Sequence, residues 1–189
     1  IKIPSSVKKM GNVNFENCST LENYELPPSV ESIGDVSFCN CTLLTRIIFP
    51  FGLKSIKYLA FSGCTALTSI EVPSSVTSIS INNCNDYKSL ISIEIPSSVT
   101  SIKRLSFDGC TSLVSAKFPP KVTECGDLSF KKCESLKSFE IPFGVTLINA
   151  FAFEACSSLK SIEIPSSVTS IDSYAFYECS SLTKLIIPS

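Results

Sequence analysis

The stretch Leu159-Lys-Ser-Ile-Glu-Ile-Pro-Ser-Ser-Val-Thr-Ser-Ile-Asp-Ser-Tyr-Ala-Phe-Tyr-Glu-Cys-Ser-Ser181 decides the fold, because the whole chain repeats it with variation every 23 residues. The in-phase prolines are at positions 4, 27, 50, 73, 96, 119, 142, 165 and 188. Phenylalanine recurs at 15, 38, 61, 107, 130, 153 and 176, and cysteine follows three residues later each time. A fixed period of 20 to 50 residues is the signature of a solenoid. The sequence therefore predicts one array of about eight coils over residues 1–189, each contacting only its neighbours.

Each coil contains one pattern typical of a strand and two shorter segments. The Leu-x-x-Ile-x-Ile pattern of residues 159–164 ends in alternation, and Pro165 stops the strand by removing a ladder donor. After the Pro-Ser-Ser corner, residues 168–171 predict a second short extended segment. Residues 172–176 place apolar side chains at adjacent positions, which predicts a single helical or 3₁₀ turn. Stacking such coils about 4.8 Å apart gives parallel sheets.

Composition argues against nucleic-acid and membrane partners. Sixteen basic and seventeen acidic residues give a net charge of −1, whereas nucleic-acid binding depends on clustered Lys and Arg. The mean hydropathy of +0.30 is high. However, no apolar run approaches the ~18 residues of a spanning helix, so no direct membrane insertion is expected.

Catalysis and cofactor binding have little support in the sequence. The chain has no histidine, so it offers no Ser-His or Cys-His pair and no histidine general base. It also has no Gly-rich phosphate loop, no zinc-protease motif and no Cys-x-x-Cys pair. We therefore expect a non-enzymatic protein with no catalytic residues, no metal and no cofactor.

The ten cysteines are predicted to be mainly structural. The seven in-phase cysteines form one column whose parallel Cβ vectors disfavour disulfides, so we interpret them as buried thiols. Cys125 occupies a core position that is normally Ile. Cys39 is the candidate for an exposed thiol, and the sequence leaves its reactivity open.

The fourth repeat departs from the pattern, with Cys84 at the Phe position and Tyr87 at the Cys position. This exchange roughly conserves volume, which a packed core tolerates. It indicates either a locally rearranged turn or a distinctive surface knob.

With Leu-x-x-Ile-x-Ile-Pro-x-x-Val-x-x-Ile-x-x-x-Ala-Phe-x-x-Cys at 23-residue spacing, the chain resembles the BspA-like, or Treponema pallidum-type, leucine-rich repeats. The resemblance covers the whole chain. It implies a right-handed leucine-rich-repeat solenoid with the Leu-x-x-Ile-x-Ile strands on the concave face. Bacterial members of that family are surface proteins that adhere to host matrix proteins and to other cells, and many members occur in parasitic protists.

One side chain of each predicted strand points outward between the two inward apolar residues. These outward positions are Glu25, Ile48, Glu71, Glu94, Lys117, Glu140, Glu163 and Ile186, and two positions earlier Arg46 and Lys184 interrupt a column of small polar residues. The pattern has two interpretations: a solvated sheet face, or a mildly acidic concave surface for a basic protein or peptide. The predicted partner-binding residues are Glu25, Arg46, Glu71, Glu94, Lys117, Glu140, Glu163 and Lys184.

The functional expectation is a cell-surface or secreted protein-binding scaffold that mediates adhesion or host and matrix recognition. The alternative is an intracellular, cytoplasmic scaffold that assembles signalling proteins, which ten unpaired thiols would suit. Both ends lack a polar capping repeat, which predicts a fragment of a longer array that self-associates end to end. Phe51 and Phe143 replace serine after the proline and are candidate rim aromatics.

Overall fold

The computed structural model describes residues 2–57, 59–79, 88–102, 104–127 and 129–187. Each coil contributes a three-residue strand, a corner at proline and a two-residue strand. The three-residue strands are β1 (Asn23–Glu25), β3 (Arg46–Ile48), β5 (Ser69–Glu71), β7 (Ser92–Glu94), β9 (Ser115–Lys117), β11 (Ser138–Glu140), β13 (Ser161–Glu163) and β15 (Lys184–Ile186). The two-residue strands are β2 (Ser32–Ile33), β4 (Ser55–Ile56), β6 (Ser78–Ile79), β8 (Ser101–Ile102), β10 (Glu124–Cys125), β12 (Leu147–Ile148) and β14 (Ser170–Ile171).

All strand pairs are parallel and join residues one repeat apart. The three-residue strands form the sheets β1-β3, β5-β7-β9 and β11-β13-β15, and the two-residue strands form β2-β4-β6-β8-β10 and β12-β14. Glu71 pairs in register with Glu94, which pairs with Lys117. The predicted leucine-rich-repeat solenoid is therefore confirmed.

The predicted helical turn is wrong, because the described residues contain no helix. Residues four positions apart in the turns have the positive φ of the left-handed region, such as Val13 (61°) and Asn17 (60°). The N–H groups of Val13, Phe15 and Asn17 consequently donate to carbonyls of the next coil at 2.8, 2.7 and 2.8 Å. In a helix the same N–H groups would donate within their own segment. The turn instead extends the parallel hydrogen bonding between coils.

A column of stacked phenylalanine rings fills the core. The centroid distances are 5.1 Å for Phe15–Phe38, 5.4 Å for Phe38–Phe61, 5.2 Å for Phe107–Phe130, 5.4 Å for Phe130–Phe153 and 5.4 Å for Phe153–Phe176. The interplanar angles lie between 4° and 14°. Each ring thus packs against its equivalent one coil away, which no isolated coil could achieve.

Five of the seven in-phase cysteines are buried as the sequence predicts, whereas Cys18 and Cys179 at the ends of the column are half-buried. Five of the seven thiols donate to the carbonyl of the phenylalanine in the preceding coil, with donor–acceptor distances between 3.0 and 3.2 Å. These pairs are Cys41 with Phe15, Cys64 with Phe38, Cys133 with Phe107, Cys156 with Phe130 and Cys179 with Phe153. The thiol therefore serves as a small hydrophobe with a weak donor.

The predictions for the other cysteines are confirmed only in part. Cys125 is buried as expected, whereas Cys39 is half-buried and not exposed. Cys84 and Tyr87, the exchanged pair of the fourth repeat, lie outside the described residues.

The serine two residues after the in-phase proline connects neighbouring coils. Ser29 and Ser167 donate through Oγ to the carbonyls of Val7 and Val145 at 2.7 and 2.8 Å. Ser75 and Ser98 make the equivalent bonds in the middle of the array. The repeated serine thus satisfies a carbonyl at the end of the preceding corner.

Replacing Phe130 with Ala tests the ring column, because Phe130 is fully buried between two stacked rings. We expect the free energy of unfolding to fall by about 3–5 kcal/mol, the loss typical of a buried Phe. The matched control is Phe51→Ala, since Phe51 is 94% exposed and its loss leaves no cavity. Chemical denaturation measures both variants, and a loss below about 1 kcal/mol for Phe130→Ala would contradict a packed column.

Candidate functional site

The outer surface of the three-residue strands, here called the long-strand face, carries the predicted site. In β1, β3, β5, β7 and β11 the first and last residues are exposed and the middle residue is buried. This follows from strand geometry, in which successive side chains point to opposite faces. Two exposed positions per coil are therefore free of any packing role and can vary in chemistry.

The structure places all eight predicted site residues on this face, and all are exposed. Arg46 and Lys184 occupy first positions, whereas the other six occupy last positions. We call the five acidic last positions the carboxylate row; they are Glu25, Glu71, Glu94, Glu140 and Glu163.

Strand register brings the carboxylates of this row together in pairs. Glu71 lies opposite Glu94, and Glu140 lies opposite Glu163. Like charges directly opposite each other repel, and about 5 Å separates neighbouring strands. Among the described residues, the ion pairs are Lys54–Glu31 and Lys131–Glu154, and neither includes a member of the row.

Separate clefts lie where the long-strand face meets the proline corner. One cleft of about 650 Å³ is lined by Glu71, Glu94 and Lys117, with Ile95 and Phe118 beside them. An equivalent cleft of about 300 Å³ adjoins Glu140 and Glu163. Another, of about 380 Å³, adjoins Glu25. We call these clefts together the strand-end groove, in which a row of charges lies next to apolar surface.

The chain matches the family model described as the BspA-type leucine-rich repeat region, in six copies over residues 1–86 and 81–189. The chain belongs to the BspA-type leucine-rich repeat family. The resemblance inferred from the repeat is therefore confirmed. No curated protein matches the chain.

Solved structures of leucine-rich repeat proteins are similar to this BspA-type array. The leucine-rich repeat protein of T. pallidum is 26% identical with a TM-score of 0.60, and the match covers 95% of this chain and 76% of that one. A leucine-rich cell surface protein from Faecalibacterium prausnitzii is 26% identical with a TM-score of 0.48, covering 99% and 71%.

Two exposed aromatic side chains stand at corners of this BspA-type solenoid. Phe51 and Phe143 are 94% and 68% exposed, in positions where the other repeats have serine or proline. Phe143 lines the strand-end groove beside Glu140 and Glu163. Exposed aromatics are enriched at protein interfaces, so Phe143 extends the candidate surface beyond the eight predicted residues.

A second charged cluster lies in the turns that follow the two-residue strands, and the sequence did not predict it. Asp108, Lys131 and Glu154 occupy equivalent positions in three successive coils. Lys131 Nζ lies 2.7 Å from Glu154 Oε2 and 5.4 Å from the centroid of the Phe151 ring. The equivalent residues of other coils have no shared chemistry, so sequence periodicity gives no signal for this cluster.

Burial governs the protonation of Asp108 in this cluster. Asp108 is 8% exposed, and its Oδ1 accepts no hydrogen bond from the described part of the chain. Burial therefore raises the pKa of Asp108, although Lys131 and Lys132 oppose the rise and Glu154 adds to it. The ionised form of Asp108 is thus disfavoured by folding.

Burial also suppresses the reactivity of three described cysteines. Burial raises the pKa of Cys125 to about 12, and raises those of Cys133 and Cys156. These thiols are protonated at neutral pH and so are poor nucleophiles. Within the described ranges, no group of three or more Cys, Asp or Glu side chains could hold a metal ion, and no helix could span a membrane.

Replacing Asp108 with Asn tests the cluster, because the raised pKa means that folding favours the neutral carboxyl. Above the unfolded pKa, wild-type stability falls as pH rises through the folded pKa, whereas the amide carries no charge to desolvate. We expect Asp108→Asn to have the higher melting temperature at pH 7, with the difference shrinking toward pH 3. Thermal unfolding across that range measures it, with exposed Asp127→Asn as the control. A destabilised Asp108→Asn at pH 7 would show that the lysines outweigh burial.

Proposed function

We propose that this array is a non-enzymatic protein-binding module, displayed at a cell surface, that binds a basic segment of a partner protein across the long-strand face. The observation that carries the proposal is a row of carboxylates that form no ion pair within the described part of the chain and lie beside apolar surface. The BspA-type solenoid is typically a non-enzymatic scaffold, and extended solenoid surfaces typically bind proteins.

Electrostatics favours a basic partner over other classes. The paired carboxylates repel each other by about 1 kcal/mol at hydrated separations of 4–5 Å. A cationic side chain placed between two of them removes that repulsion and adds two attractive contacts. An acidic partner would add to the repulsion. The negative charge of the carboxylate row therefore favours a positively charged ligand.

The groove supplies apolar contact next to the charges. Val72 and Phe118 are half-buried on its wall, and Pro96 and Pro119 form its corner. Exposed ion pairs alone contribute about 0.2–1 kcal/mol each. Burial of partner side chains against the groove provides affinity that the charges do not.

Surface display is supported by family membership, because bacterial members of the BspA-type family adhere to host matrix proteins and to other cells. The second candidate is an intracellular scaffold. It is favoured by the cysteine column, since Cys41, Cys64, Cys133, Cys156 and Cys179 donate hydrogen bonds as thiols, which suits a reducing compartment.

Charge reversal on the long-strand face tests partner binding. We expect simultaneous replacement of Glu71, Glu94, Glu140 and Glu163 with Lys to weaken binding of a fluorescent Lys-Gly repeat dodecapeptide at least tenfold at low salt. The melting temperature should stay nearly unchanged, because all four side chains are exposed. Fluorescence anisotropy measures the affinity.

The matched control reverses four exposed glutamates away from the strand-end groove, namely Glu16, Glu22, Glu124 and Glu134. This variant has the same net charge as the first. We expect it to lose less than threefold in affinity. Equal losses in both variants would mean that net charge and not the face binds the peptide.

Antibody labelling of intact cells that express the full-length protein separates surface display from the intracellular scaffold. We expect labelling of the array without permeabilisation. Labelling that requires permeabilisation would overturn surface display and favour the second candidate, while leaving the peptide-binding result unaffected.

A further inference from the structure

We infer that the partner segment is extended, runs along the solenoid axis and has the charge order basic-x-acidic-x-basic. The inference rests on the proposed function, whose binding face it uses. Five successive coils carry Glu71, Glu94, Lys117, Glu140 and Glu163 at the same position. Two carboxylate pairs therefore flank a single ammonium group.

The spacing of this charge order matches an extended chain. Parallel strands are about 4.8 Å apart, so the midpoint of each carboxylate pair lies one and a half coils, or about 7 Å, from Lys117. In an extended chain, residues i and i+2 are about 6.7 Å apart and lie on the same side. Residues i, i+2 and i+4 of a partner can thus face the first pair, Lys117 and the second pair in turn.

The strands that carry these five residues stack without interruption from Glu71 to Glu163. β5, β7 and β9 are hydrogen bonded to one another, as are β11 and β13, and β9 remains in contact with β11. The larger cleft of the strand-end groove adjoins Glu71, Glu94 and Lys117, and the cleft with Phe143 adjoins Glu140 and Glu163. A partner running along the row therefore has apolar surface beside it at both pairs.

The chemistry of each position selects a different side chain. A planar guanidinium can donate to two carboxylates at once, and so fits between Glu71 and Glu94 or between Glu140 and Glu163. Lys117 attracts a carboxylate and repels a cation. A continuous basic run would place a cation against Lys117, so this lysine acts against such partners.

The order Glu-Glu-Lys-Glu-Glu is the same in both directions along the solenoid axis. A peptide with a symmetric charge order can consequently bind in either chain direction. Direction then depends on apolar contacts, which differ between the two clefts because Phe118 lines one and Phe143 the other.

Two peptides of identical composition test the register. The matched peptide contains Arg-Ser-Glu-Ser-Arg, and the permuted peptide contains Arg-Ser-Arg-Ser-Glu. Two exposed charge contacts change between them, and each exposed contact is individually weak. We therefore expect the array to bind the matched peptide about fivefold to tenfold more tightly, as measured by fluorescence anisotropy at low salt.

Reversal of Lys117 provides the complementary test. In the Lys117→Glu variant we expect the preference to shift to Arg-Ser-Arg-Ser-Arg over the matched peptide. The control is Lys57→Glu, which makes the same charge change at an exposed site just after β4. That control should keep the wild-type preference.

The outcomes separate the two proposals. Equal binding of matched and permuted peptides, with binding still lost on reversal of the four face glutamates, would overturn the charge order and leave the binding face intact. If no basic peptide is bound, the lysine-rich probe included, the proposed function fails together with the inference.

Discussion

Every feature of this solenoid depends on the in-register parallel stacking of coils of constant length. The stacked Phe rings, 5.1–5.4 Å apart, lie near the strand spacing of about 4.8 Å, so side chains that recur every 23 residues meet their equivalents. The thiol-to-carbonyl and serine-to-carbonyl hydrogen bonds use the same one-coil displacement. A single inserted residue would move a whole coil out of these columns at once.

The turns follow the same constraint at the expense of local conformational preference. Val36 and Phe151 adopt positive φ, which is unfavourable for residues with a bulky side chain. The conformation persists because alternate N–H groups of the turn then reach the next coil, as Phe38 does to Ala60 at 2.7 Å. Each coil thus stabilises in its neighbour a backbone that neither would adopt alone.

Stacking also separates stability from recognition. The middle residue of most three-residue strands, such as Ile70 and Ile93, is committed to the core, whereas its neighbours on either side contact solvent. The solenoid therefore tolerates Glu, Lys or Ile at the last strand position without a change in the fold. The order of charges at these positions is a property of this particular chain, whereas the scaffold is a property of the BspA-type family.

The sequence alone determined the repeat, the strands, the buried columns and the eight exposed candidate residues, because a strict period identifies which residues align before any coordinates exist. It did not predict the left-handed turns at residues such as Tyr174, since the sign of φ there depends on hydrogen bonds to adjacent coils. The half-burial of Cys39, the Asp108–Lys131–Glu154 cluster and the strand-end groove likewise required the tertiary structure. Periodicity shows which residues of successive coils align. How deeply a side chain is buried, and which clefts form between aligned residues, depends on how the coils pack together.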